Sequence, residues 1–306
     1  MGSEYRQYRD GCTHHVYCKA VEGNIIFYSV QDCIYYLSLY YLLAKRYGIR
    51  TLAFDIMPNH IHSNESAPSK EQFLLFHCRL NSEFSQGYNE WHDRSGQLFM
   101  SPFRFAPKTV GKRIRENIAY IINNPVAGKL TRTIQGYKWN LVAYKDSDHP
   151  FSEKIQLNRS SHRFRRSIDL LKHYHRKGLP LDYNRQTTMF KGLSSKERAQ
   201  LIDRIISIYN CIDYRAISKY YQGRFENALM VISASSGSEH DIPEDFEDYG
   251  FYTVMLNECT KRGIDLKTCN FENWSAIRVN ELAESFYRSG IPFKQIVKFL
   301  HLKTRK

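Results

Sequence analysis

Two histidines, His60 and His62, sit two residues apart in the segment Pro58-Asn59-His60-Ile61-His62. In an extended chain alternate side chains share a face, so both imidazoles point one way and Ile61 points the other. Two imidazoles on one face make half of a divalent-metal site. Farther along, Ile118-Ala119-Tyr120-Ile121-Ile122-Asn123-Asn124-Pro125 sets a tyrosine inside a predicted helix. A metal-binding pair and a positioned phenol together suggest phosphodiester chemistry on nucleic acid. Taken singly, each piece is weak. An HxH pair is as often structural, a tyrosine on an amphipathic helix is most often core, and Asn124 alone reads as a residue near a helix C-terminus.

Composition narrows the setting. The chain has 306 residues, enough for one domain with a real core and a smaller second unit. Its net charge is +13, from 44 Lys+Arg against 31 Asp+Glu. A basic chain of this size is expected to meet a polyanion, and nucleic acid is the commonest. An anionic membrane surface would call for a basic amphipathic helix, which the sequence does not show. No apolar run reaches bilayer length, and the first residues do not read as a signal peptide. The seven cysteines (Cys12, Cys18, Cys33, Cys78, Cys211, Cys259 and Cys269) form no CxxC pair. An odd, scattered set argues for reduced thiols in the cytoplasm and against a zinc finger. The 22 Tyr and 18 Phe offer stacking surfaces for bases, although any single one is more often core.

The elements that must position these residues follow from periodicity and caps. Residues 13–21 read as a strand. Ser29-Val30-Gln31-Asp32 opens a helix as a capping box, and the apolar run to Tyr47 closes at Gly48. A strand over 50–56, a turn at Met57-Pro58-Asn59 and a returning strand over His60–Ser63 make an antiparallel hairpin. Ser69 to Gln72 caps a second long helix running to about Glu90. Residues 97–106 read as a strand with Pro102 at an edge or bulge. The tyrosine helix starts near Thr109 and is expected to end near Asn124-Pro125, because the residue before proline disfavours helix. The order β-α-β-β-α-β-α predicts a ferredoxin-like α+β fold, an antiparallel sheet with helices on one face. This first domain spans 1–150, ending in the linker-like Lys145 to Pro150 stretch, and 151–306 is mainly α-helical. Within the helical region, residues 159–177 carry seven Lys/Arg and one acid, Asp169. That pattern is either a solvated helix face or a phosphate-contacting arm. A second capping box starts at Ser194, and 239–248 is an acidic loop. The stretch 281–306 resembles an incomplete helix-turn-helix that stops where the recognition helix should begin, or else a plain helical hairpin.

In this order the motifs resemble a known family. Leu52 to His62 looks like the metal-site hairpin of HUH-superfamily single-tyrosine transposases, and is most similar to the REP-associated tyrosine transposase group. Leu80-Asn81, Tyr88-Asn89, His92, Gly96-Gln97-Leu98-Phe99 and Phe103-Arg104-Phe105 follow in family order. Tyr120 to Gly128 resembles the family's tyrosine helix, and Tyr137-Lys138-Trp139 with Tyr144 its terminal segment. The resemblance covers about residues 13–145. It implies an HUH nuclease fold and a transposase that cleaves and rejoins single-stranded DNA through a 5′-phosphotyrosine, with recognition of hairpin DNA. It implies Tyr120 as nucleophile, and His60, His62 and Asn124 as ligands of Mg²⁺ or Mn²⁺. Asn124 lies one helical turn beyond Tyr120, on the same face, so its amide oxygen can serve the same phosphate-binding centre. Arg104, Lys108, Lys112, Arg113 and Arg115 precede the tyrosine with no acid among them until Glu116, and would favour phenolate and backbone phosphates. Related enzymes act as monomers or homodimers. Two departures stand out. Ser63-Asn64-Glu65-Ser66-Ala67-Pro68 replaces apolar strand residues, predicting a short or frayed strand and a loose His62. Ala127 stands where arginine is frequent. A non-cleaving, domesticated hairpin-binding protein is therefore the alternative to the enzyme. A regulator working through the helical half and a plasmid-type replication initiator are weaker readings.

Overall fold

The computed structural model describes residues 6–242 and 247–302. An α+β unit comes first: β1 (Thr13–Lys19), α1 (Val30–Tyr47), β2 (Arg50–Met57), β3 (His60–Ser66), α2 (Lys70–Trp91), β4 (Arg104–Lys108) and α3 (Gly111–Ala127). This is the element order that the sequence pattern predicts. The helices begin where the caps place them. Ser29 and Asp32 form a reciprocal capping box on α1, and Gly48 closes it in the left-handed conformation at φ 67°. The Ser69 hydroxyl accepts from the Gln72 amide at the start of α2.

The four strands form one sheet in the order β2-β3-β1-β4, with every pairing antiparallel. Register sets the faces. Tyr17 lies opposite His62 and Lys19 opposite His60 across β1 and β3, while Asp55 of β2 lies opposite His62. His15, Tyr17, Asp55, His60, His62 and Asn64 therefore share one face. Val16, Cys18, Phe54, Ile61, Ser63 and Glu65 share the other. α1 and α2 cover the second face, where Tyr40 of α1 and His77 of α2 both bond the Glu65 carboxylate. α3 lies on the first face, where the Asn64 amide donates to Asn117 at 2.6 Å. Helices thus flank both faces, not one. The apolar stripe of α3, with Ile114, Ile118 and Ile121 buried, needs a surface of its own, and α1 and α2 already fill the opposite side.

Three boundaries differ from expectation for physical reasons. β3 runs to Ser66 and does not fray, because its polar residues are bonded into the interior. Ser63 donates to Glu65 at 2.9 Å, and Asn64 reaches Asn117. His62 is completely buried, not loose. The final strand starts at Arg104, with Phe99 contributing an isolated bridge to Ala20. α3 continues through Pro125 to Ala127. Proline this close to a helix end removes one hydrogen bond of the last turn, and Gly128 and Leu130 donate to Asn124 and Pro125 to close it.

The remaining chain is helical: α4 (His162–Arg176), α5 (Tyr183–Phe190), α6 (Ser195–Ile208), α7 (Tyr214–Tyr220), α8 (Phe225–Ala234), α9 (Tyr252–Lys261), α10 (Ala276–Arg288) and α11 (Phe293–Leu300). Ser194 and Glu197 make the expected capping box on α6. A continuous apolar cluster extends from Val16 on β1 to Ile232 on α8. A second gathers Tyr28, Met57 and Tyr249 with α9 to α11. α10 and α11 form a helical hairpin packed into this second cluster, and residues 303–306 of the expected helix-turn-helix lie outside the described residues. No helix among the described residues is long and apolar enough to cross a membrane.

Candidate functional site

β3 delivers His60 and His62 to the α3 side of the sheet, with ring centroids 4.7 Å apart and planes nearly perpendicular. α3 brings Tyr120 over them. Its ring meets the edge or face of His62 at 5.8 Å and of His15 at 5.9 Å. Asn124, one turn on, lines the same cavity of about 860 Å³ as Tyr120 and His60. The four sequence-predicted site residues are therefore brought to one place.

The two imidazoles are held firmly. His62 Nδ1 bonds His15 Nε2 at 2.9 Å, and Tyr17 stacks on the His62 ring at 4.9 Å. His60 Nδ1 bonds the Asn59 amide oxygen at 2.6 Å and lies 3.2 Å from the Tyr249 hydroxyl. With Nδ1 of each ring engaged, Nε2 is the atom each would offer to a cation. Burial is the main force lowering the His60 pKa, which falls to about 3. Burial, then His60, His15 and Lys19, hold His62 well below the ordinary value. Both rings are neutral at pH 7, the state that binds metal.

The donor set fits a divalent cation in one further respect. The buried amide nitrogen of Asn124 has no hydrogen-bond partner, and an amide flip would present the oxygen there instead. Among the described residues, no group of three or more His, Cys, Asp or Glu side chains forms a metal site. An amide oxygen beside two imidazoles suits Mn²⁺ or Mg²⁺.

Several residues of the site were not picked out from sequence. His15 and Tyr17 follow from the same alternation as His60 and His62, applied to Thr13 through Lys19, and were legible in principle. Glu239 was not. Its carboxylate bonds His15 Nδ1 at 2.6 Å, Lys108 Nζ at 2.8 Å and Asn117 Nδ2 at 2.8 Å. Glu247 bonds Lys19 at 2.9 Å, Lys298 at 2.7 Å and Asn59 at 2.6 Å. Burial raises the pKa of each carboxyl, but hydrogen bonds and charge from these partners outweigh it. Glu247 is held at about 2 and Glu239 lower still. Of the basic residues preceding Tyr120, Lys108 and Arg113 both reach Asp241. Lys112 pairs with Glu116 at an exposed position.

No protein-family model matches the chain, and no curated protein matches it significantly. Among solved structures, the chain is similar to a REP-associated tyrosine transposase bound to a REP hairpin, with 17% identity and a TM-score of 0.38. The match covers 45% of this chain and 81% of that one. A likeness this slight assigns no function, which has to rest on the residues themselves.

Proposed function

We propose that the chain is a metal-dependent, single-tyrosine nuclease and strand-transferase of the HUH type, acting on single-stranded DNA and recognising hairpins. One observation carries this reading: His60, His62 and Tyr120 converge at ring-contact distance on a cavity that Asn124 also lines. The basic balance of the chain and the ordered motifs from Leu52 to Gly128 agree with a polyanionic substrate.

On this reading His60, His62 and Asn124 hold Mn²⁺ or Mg²⁺, which supplies charge neutralisation at the scissile phosphate. Tyr120 is the nucleophile. Its hydroxyl oxygen bonds to phosphorus, the bond from phosphorus to the 3′ oxygen breaks, and the phenolic proton ends on the departing 3′-hydroxyl. The 5′ side stays attached to Tyr120, so a later 3′-hydroxyl can reverse the step without ATP. His15 and Tyr17 position His62 through the contacts already described. Asn59 and Tyr249 do the same for His60.

The test is covalent capture. The full-length protein is mixed with labelled single-stranded oligonucleotides carrying the hairpins that flank its own gene, with Mn²⁺ or Mg²⁺, and then denatured. The expected result is a protein–DNA band that disappears in Tyr120→Phe and with EDTA. Tight binding of the same hairpins with no adduct would overturn the enzyme and leave a hairpin-binding protein in its place.

A further inference from the structure

Glu239 and Glu247, both after α8, reach the strand face that carries the site, at His15 and at Asn59 beside His60. Asn123 on α3 holds the start of the segment, donating to the carbonyls of Ile232 at 2.8 Å and Ser235 at 2.9 Å. Gly237 then crosses α3 at the nucleophile. A Cβ at this residue would lie 2.2 Å from the Tyr120 amide nitrogen and 2.4 Å from the Glu116 carbonyl, and φ is +65°. Only glycine passes here. Ile242 packs on Tyr17 and Ala106, facing the sheet.

The carboxylates on either side of this crossing pair with cations at the rim of the cavity. Glu239 and Asp241 share Lys108, and Asp241 also reaches Arg113 at 3.3 Å. Glu247 sits between Lys19 and Lys298, and Asp248 bonds Lys129. Glu239 and Lys108 are each only 3% exposed and Glu247 is 8% exposed, so the pairs at the centre of the two clusters are enclosed, while Arg113 and Lys129 reach solvent. A carboxylate bridging two cations offers the same bidentate anion as a phosphodiester. The spread of the two clusters, one beside β4 and one beside the start of β3, places an anion-binding position on either side of the His pair.

We propose that Lys108 with Arg113, and Lys19 with Lys298, are two phosphate-binding sites for a nucleic-acid backbone, which the chain fills with its own Glu239, Asp241 and Glu247 until a strand displaces them. The proposal rests on the reading of the cavity as a nucleic-acid site. A strand entering the cavity exchanges these internal ion pairs for its phosphates, and the segment from Gly237 to Ile242 leaves the sheet face.

The experiment uses full-length protein and a fluorescein-labelled single-stranded oligonucleotide, read by anisotropy over a salt series. Replacing Asp241→Asn together with Glu247→Gln is expected to tighten binding about tenfold and steepen the salt dependence, by about 0.7 in log–log slope per added phosphate. Unchanged or weaker binding by a variant that melts like wild type overturns the proposal. In case the variant folds poorly, hydrogen exchange on the wild-type protein supplies the second readout. Amides 237–242 are expected to lose protection when the oligonucleotide is bound, and full protection at saturating oligonucleotide overturns it equally. Neither readout requires cleavage. Displacement without a covalent adduct sinks the nuclease reading alone, and an adduct with the segment still protected sinks this proposal alone.

Discussion

The two faces of one strand, β3, are built on opposite principles. Toward α1 and α2 it presents Glu65, fully buried, whose two oxygens take hydrogen bonds from Tyr40 at 2.7 Å, Ser63 at 2.9 Å and His77. Burial raises the Glu65 pKa, but the charge and hydrogen bond of His77, then Tyr40 and Ser63, bring it below its ordinary value. Toward α3 the same sheet presents Asp55, equally buried, with no hydrogen-bond partner for either oxygen. Desolvation alone drives its pKa well above the usual range. The difference teaches where the molecule spends its polar groups on holding the fold and where it keeps them available. On the first face a buried acid is surrounded by donors. On the second, His60, Tyr120 and the orphaned Asn124 amide line a cavity, Asp55 lies unbonded in the sheet opposite His62, and Glu239 and Glu247 from a distant segment bring negative charge.

The largest expected effect breaks the first face. Glu65→Ala leaves the His77 ring and the Tyr40 hydroxyl without their shared acceptor in a water-free interior. Removing one partner of such a buried pair typically costs about 3–5 kcal/mol. Urea unfolding followed by circular dichroism should show a loss of that order. A loss under about 1 kcal/mol would mean that the face repacks easily and that the contrast between the two sides is overdrawn.

A smaller effect sharpens the second face. Asn124→Ala removes an amide whose nitrogen bonds nothing, so folding stability should hardly change. If the amide oxygen completes a cation site with His60 and His62, Mn²⁺ affinity should fall at least about tenfold, the order lost when even an outer partner of a metal site is removed. Titration calorimetry on the full-length protein, with no DNA present, reads this directly. Equal Mn²⁺ affinity in the variant removes Asn124 from the ligand set while leaving the histidine pair in place.

Local signals made much of this legible. The period of two in Asn59 to His62 gave the shared histidine face, and the Ser29, Ser69 and Ser194 caps fixed three helix starts. The spacing of Tyr120 and Asn124 placed both on one side of α3. What could not be read depends on tertiary contact. The polar run after His62 looks like a failing strand until Tyr40, His77 and Asn117 are seen to receive it. Pro125 looks like a stop, because nothing in sequence says that only the last turn follows it. Which face α3 would cover depended on the opposite face being already full. Glu239 and Glu247 are more than a hundred residues from the lysines of β1 and β4 that they neutralise, and an acidic loop carries no local mark of its destination.

A last effect is a balance between the faces, read through pH. His14, on the α1 and α2 side, stacks on Tyr8, and burial lowers its pKa to about 4. His60 is lowered to about 3 and His62 also lies low, on the other side. As pH falls from about 6.5, these histidines take up protons in the unfolded chain but not in the folded one, so stability drops, by up to about 1.4 kcal/mol per pH unit for each. Asp55 acts with the opposite sign. Its folded pKa is raised, so over the same range the folded state holds a proton that the unfolded state has released, and acidification favours folding. The depressed acids Glu65, Glu239 and Glu247 begin to contribute only as pH approaches their unfolded value near 4.5 and below. Between pH 6.5 and 4.5 the wild-type slope is therefore set by the histidines with lowered pKa, His175 among them, against the one opposing carboxyl. Asp55→Asn removes the opposing member. In metal-free buffer its unfolding free energy should fall more steeply over this interval than that of the wild type, by the share of one proton. Parallel curves for the two proteins would mean that Asp55 is ionised in the folded state, and that the α3 face supplies it with a donor after all.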